Sequence, residues 1–202
     1  MKKLVVAVLA AMVLSACGTT PQAAGPHQFT ASGYGPFTPA AVTLTDTAGA
    51  PYGLTTPTTP LTLVFFGYTN CPDECPAMMS QVGSAFSRLS AAQIAKVTMV
   101  FVTTDPARDS GPVERRWLDR YDPRFVGLTG PIDQIIKLSS SLKLYVKGAT
   151  RLPSGGYDVP THATNLVALN AQHVAVAEWS LGTTSRQFAS DIQALLNGSV
   201  PE

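Results

Sequence analysis

The sequence predicts an α/β fold, a central mixed β-sheet flanked by helices. Three observations lead there. Residues 61–66 (LTLVFF) and 97–102 (VTMVFV) are nearly continuous apolar runs, the pattern of strands buried on both faces. Between and after them, apolar residues recur at helical spacing. The chain closes with LVALNAQHVAVAEW, two strands around a turn, and then one more amphipathic segment. Strands alternating with helices, then a hairpin and a last helix, build a sheet covered on its faces. The 202 residues suit one domain with a sizeable core, and no internal repeat is present.

The first residues stand apart. MKKLVVAVLAAMVLSAC opens with two lysines, continues with an apolar run over residues 4–14, and ends in small residues. That is the pattern of an export signal, and its apolar run is too short to span a bilayer. Leu14, Ser15, Ala16 and Cys17 resemble a bacterial lipobox. The resemblance implies cleavage after residue 16, lipidation of Cys17 and anchoring to a membrane face toward the periplasm or cell exterior. Residues 17–27 then read as a flexible lipid-anchored tether, with His27 a solvated residue in it, and residues 28–202 as the folded domain. Loss of residues 1–16 removes Lys2 and Lys3, leaving 12 basic and 13 acidic residues and a charge of −1. No basic patch suggests a nucleic-acid partner.

From residue 29 to 59, short Thr- and Val-containing runs alternate with Gly and Pro. They predict an N-terminal β-hairpin extension turning at Ala48 and Gly49. After residues 61–66, Met78, Met79, Val82, Ala85, Phe86 and Leu89 predict a helix with the two methionines in the core. Val113, Trp117 and Tyr121 mark one face of another helix, opposite Glu114, Arg115 and Arg116. Residues 125–130 (FVGLTG) form a short strand or turn. Ile132, Ile135, Ile136 and Leu142 belong to a helix opened by Pro131. The hairpin turns at residues 170–172 and exposes His173. The last helix lies within residues 183–196, behind a Thr-Thr-Ser cap region, and buries Phe188, Ile192 and Leu195.

Chemistry concentrates in FFGYTNCPDECPAMMSQV, residues 65–82. With Cys17 assigned to the anchor, Cys71 and Cys75 are the remaining cysteines. On a helix, positions i and i+4 face the same way with Cβ atoms roughly 5–6 Å apart. Two thiolates so placed suit a shared metal ion, and a disulfide after small adjustment. In an oxidising compartment an unliganded pair tends toward the disulfide. A mere staple is the weaker reading, because so short a loop adds little constraint, and Pro72 and Pro76 stiffen the pair. Asp73 and Glu74 read as a solvated helix start.

The stretch Phe-Gly-Tyr-Thr-Asn-Cys-Pro-Asp-Glu-Cys-Pro after a buried strand resembles the site of the Sco/SenC family, thioredoxin-fold copper proteins of cytochrome c oxidase assembly. Further stretches carry the likeness: residues 102–109 (VTTDPARD), residues 125–130, and Thr161-His162-Ala163-Thr164 before an apolar strand. It runs from about residue 42 to the end of the chain. It implies a thioredoxin-like fold and one copper ion per chain, as Cu(I) or Cu(II), on Cys71, Cys75 and His162. Two soft thiolates and an imidazole suit that ion. It places Asp105 near the metal, though Asp before Pro also reads as a plain turn former. It implies a Cys71–Cys75 disulfide in the oxidised copper-free form. Where the family often carries Asp before its histidine, this chain has Thr161.

Two functions follow from the resemblance. One is a membrane-tethered chaperone delivering copper to the binuclear copper site of the oxidase, with the copper-site subunit as partner and a thiol reductant or another copper carrier upstream. The other is a thiol–disulfide oxidoreductase that reduces the oxidase cysteines before metallation, with Cys71 and Cys75 as its redox-active residues. A thiol peroxidase is weaker, since no activating Thr and Arg pattern surrounds either cysteine.

Overall fold

The computed structural model describes residues 26–153 and 161–202. The export signal, Cys17 and nearly all of the tether lie outside the described residues. In chain order the elements are β1 (Ser32–Gly33), β2 (Leu44–Asp46), β3 (Pro51–Tyr52), β4 (Leu61–Gly67), α1 (Glu74–Phe86), α2 (Ala91–Ile94), β5 (Val97–Thr103), α3 (Gly111–Leu118), β6 (Val126–Thr129), α4 (Ile132–Ser141), β7 (Val146–Lys147), β8 (Thr161–His162), β9 (Leu166–Asn170), β10 (Ala175–Trp179) and α5 (Ser185–Leu196).

The main sheet has the order β1-β10-β9-β4-β5-β6-β2-β3. β4, β5 and β6 run parallel, and β9 closes antiparallel against β4. The sheet is mixed, as the sequence predicts. Side chains alternate between its faces. Leu63, Phe65, Met99 and Phe101 point to one face, where α1, α5 and Trp117 of α3 cover them. Val64, Phe66, Val100 and Val102 point to the other, against Ile135 and Leu138 of α4. Both central strands are apolar throughout because both their faces are covered. The expected N-terminal hairpin is present as β2 and β3, with β2 also pairing with β6.

Local signals explain the helix starts. Ser90 and Thr184 each form a reciprocal capping box, with Gln93 and Gln187. Met78 and Met79 are core residues. Among the described residues no helix is long and apolar enough to cross a membrane.

Three expectations are corrected. Glu114 is not on a solvated face: it is fully buried on α3, with its carboxyl beside the Leu128 backbone of β6. A Cβ at Gly127 would meet the Glu114 carboxyl at 2.8 Å, so the bare backbone of β6 makes room for it. Burial, and next the charge of Asp109, push this carboxyl up to about 9. His27 is not a solvated tether residue. Its Nε2 lies 2.8 Å from Asp191, and its ring meets Phe29 edge-on at 4.5 Å. Asp191 also accepts from the backbone of Thr30 and Ala31 and from the Trp179 indole. His173 sits in the β9–β10 turn as expected, with φ of 57°, but is half-buried.

Candidate metal centre

The site forms where β4 ends. Gly67 closes that strand, and a Cβ there would meet the Cys75 sulfur, Phe65 and Phe101 at 2.8–2.9 Å. Only a residue without a side chain lets the buried sulfur lie so close to the strand. The chain then turns through Tyr68 and Thr69, with the Cys71 amide donating to the Tyr68 carbonyl at 3.2 Å.

Asp73 caps α1, its side chain accepting from the Glu74 amide at 2.7 Å. Cys71 therefore lies at the strand-to-helix junction, ahead of the helix that carries Cys75, and the pair does not have the i, i+4 geometry of two helical residues. Pro72 follows Cys71 in the turn, and the two sulfurs converge because that turn folds back over the helix start. The Cys75 amide donates to the Cys71 sulfur at 3.4 Å. Pro76 falls in the first helical turn, where a missing N–H costs nothing. Both cysteines are free thiols. Cys75 is fully buried, and burial raises its thiol far above the ordinary range.

His162 arrives from the other side of the sheet's end. It pairs with Val146 in the small β7–β8 ladder. The adjacent Ala163 amide donates to the Tyr145 carbonyl at 2.8 Å, tying the segment down. The His162 Nδ1 lies 2.9 Å from the Ala163 carbonyl. A carbonyl only accepts, so Nδ1 carries the proton and Nε2 presents its lone pair. Nε2 is 3.5 Å from the Cys75 sulfur. Phe65 and Tyr68 clamp the ring edge-on at 5.9 and 5.7 Å. Burial lowers the imidazole pKa, which favours the neutral form a metal ion needs.

The two sulfurs and the His162 nitrogen all lie within 4.8 Å of one another. Ligands about 2.0–2.3 Å from one ion stand roughly 3.5–4 Å apart at trigonal angles, so the three donors fit a common ion with little movement. Among the described residues this is the one cluster of its kind, and it contains the three ligands that the sequence resemblance implies.

The SCO1/SenC family model matches residues 31–197, most of the chain. The chain belongs to the SCO1/SenC family. It is 34% identical to the mitochondrial protein SCO1 of Saccharomyces cerevisiae over 83 residues, 41% of this chain and 28% of that protein. Among solved structures it is similar to Bradyrhizobium japonicum ScoI with copper bound, at 27% identity and a TM-score of 0.68 over 77% of this chain and 98% of that one. Thermus thermophilus apo Sco1 matches at 24% identity and a TM-score of 0.75, over 84% of this chain and 98% of that one. The chain spans half or less of the length of the curated relatives it matches first. The thioredoxin-like fold implied by the sequence is thus established.

Other sequence candidates of this SCO1/SenC chain fall outside the cluster. Asp105 is buried, and its carboxylate binds Arg108. The Asp105 carbonyl accepts from the Arg108 and Asp109 amides, closing the turn that follows β5. His27 and His173 are remote from it in their hydrogen bonding. Sequence reasoning did not single out Gly67 or Tyr68. Burial and the adjacent Cys71 push the Tyr68 hydroxyl up to about 12, so it remains a neutral phenol against His162. A glycine closing an apolar strand just before a cysteine loop was the available signal for the first; nothing marked the second.

Proposed function

We propose that this protein carries one copper ion, as Cu(I) or Cu(II), on Cys71, Cys75 and His162, and delivers it to the binuclear copper site of cytochrome c oxidase. The observation that carries this reading is the Nε2 lone pair of His162 facing the Cys75 sulfur within a three-donor cluster. Two soft sulfurs and one imidazole make a low-coordination site suited to copper. The copper-bound Bradyrhizobium relative supports the choice of ion. The family's part in oxidase assembly, named for a Sco relative of similar fold, supports the destination.

On this reading the copper-site subunit is the partner, and a thiol reductant or another copper carrier prepares or loads the site. Lipidated Cys17 tethers the domain to a membrane facing the periplasm or cell exterior. Asp105 supports the site from the turn that follows β5. When copper is absent and the compartment oxidising, Cys71 and Cys75 join as a disulfide. The thiol-reductase alternative has less support. Disulfide exchange needs only the two sulfurs, whereas the His162 nitrogen completes a three-donor cluster that such exchange does not call for.

The test is the copper content and absorption spectrum of the reduced protein beside Cys71→Ser and Cys75→Ser. One copper per chain, lost in both variants, is expected. Equal copper binding in all three proteins contradicts the reading.

A further inference from the structure

Asp109 is fully buried and lies outside the donor cluster. Its carboxylate collects three hydrogen bonds. Oδ2 accepts from the Thr69 amide at 2.9 Å and from the Thr103 hydroxyl at 2.7 Å, and Oδ1 accepts from the Thr69 hydroxyl at 2.5 Å. Thr103 ends β5, where it is the register partner of Gly67 at the end of β4. Thr69 lies in the turn that delivers Cys71.

The anchor is itself fixed. The Asp109 amide donates to the Asp105 carbonyl at 2.9 Å, and the Asp109 carbonyl accepts from the Thr129 hydroxyl at 3.2 Å. On either side of Thr69, Tyr68 packs on His162 and Cys71 presents its sulfur to the Cys75 amide. One buried side chain therefore grips the middle of a turn whose two ends both touch the site.

We propose that Asp109 is a positioning residue of the metal centre, holding Thr69 so that the turn over residues 68–71 sets the Cys71 sulfur against Cys75 and His162. The copper role it serves rests on the function proposed above. The choice of residue follows from the donors. All three partners donate, and an ionised carboxylate is acceptor-only. Asn keeps one oxygen for the Thr69 amide and Thr103, and its NH2 faces a Thr69 hydroxyl that rotates to accept. Ala abolishes all three bonds.

The experiment compares wild type, Asp109→Ala, Asp109→Asn and a destabilised control, Asp191→Ala, whose lost bonds lie at the N-terminal segment and Trp179. In the reduced, metal-free proteins, deuterium exchange at the Thr69 amide and alkylation of Cys71 are measured. Copper(II) is then titrated while the thiolate-to-copper absorption band is followed. Asp109→Ala is expected to speed Thr69 exchange and Cys71 alkylation and to weaken copper(II) binding about tenfold or more, the usual effect of losing a group that orients a ligand. Asp109→Asn restores most of each, and Asp191→Ala changes none.

If Asp109→Ala only lowers the unfolding midpoint, with exchange, alkylation and copper binding matching Asp191→Ala, the positioning role is wrong. If Asp109→Ala does not fold, Thr69→Val removes the hydroxyl alone and is read the same way: faster alkylation and a shifted band support the role, and wild-type values overturn it. If wild type binds no copper, the proposed function fails, while exchange and alkylation still decide the role of Asp109.

Discussion

The Nε2 atom of His162 stands 3.5 Å from the Cys75 sulfur while its Nδ1 is held by the Ala163 carbonyl. A histidine whose other nitrogen is engaged is fixed in tautomer and direction before any ion arrives. Phe65 and Tyr68 hold the ring plane. The cluster is pre-organised, so binding requires little rearrangement of the third donor.

Gly67→Ala tests how tightly the site is packed. The added methyl would lie 2.9 Å from the Cys75 sulfur and 2.8–2.9 Å from two phenylalanine rings, so something must shift. Overpacking of this kind costs about 1–3 kcal/mol. Denaturant unfolding of the metal-free protein is expected to show that loss, and the displaced sulfur weakens copper binding as well. Wild-type stability in this variant contradicts the packing described.

Glu114→Gln tests the buried acid. Its carboxyl rises from an ordinary 4.5 to about 9 in the folded protein. The folded state therefore binds the proton more tightly than the unfolded state. The stabilising contribution is complete below about pH 4.5 and is lost as pH rises toward 9, with a slope of about 1.4 kcal/mol per pH unit at most. Gln cannot ionise, so the variant should gain on wild type steadily from pH 5 to pH 8. Parallel stability curves for the two proteins rule this account out.

Asp191→Ala tests the N-terminal latch. Asp191 is buried and accepts from His27, Thr30, Ala31 and Trp179. Its loss leaves buried donors unpaired, at a cost of about 1–3 kcal/mol. Thermal unfolding is expected to show it, together with faster proteolysis near residue 27. A change below about 0.5 kcal/mol, the range of surface substitutions, contradicts the latch.

The sequence revealed the fold where physics leaves one choice. Residues 61–66 and 97–102 are apolar because both faces of those strands are covered, and no other element explains such runs. The β7–β8 ladder, two residues a side, has no periodicity to read, yet it delivers His162. His162 stands just before a buried strand and after a Pro- and Gly-rich loop, which singles it out from His27 and His173, and the family resemblance strengthens that reading. Glu114 beside two arginines looks like a solvated face, and the space it fills depends on Gly127 of the next strand, β6, which the helical pattern of α3 does not show. Cys71 at the strand-to-helix junction is legible in sequence, but the i, i+4 spacing is blind to the Asp73 cap, which starts the helix one residue before Cys75. The buried roles of Asp109 and Asp191 are not legible in sequence, since Thr69 lies 40 residues from Asp109 and Thr30 lies 161 residues from Asp191.

The central claim is that His162 is the third copper donor, and the direct measurement is copper(II) titration of the reduced protein, wild type beside His162→Ala, His27→Ala and His173→Ala. His27 is engaged by Asp191 and His173 lies in the β9–β10 turn, so neither substitution should change the site. His162→Ala is expected to lose at least about tenfold in affinity, roughly 1.4 kcal/mol, and to shift the thiolate-to-copper absorption band. Wild-type affinity and an unshifted band in His162→Ala would contradict the account and return Cys71 and Cys75 to the thiol-reductase reading.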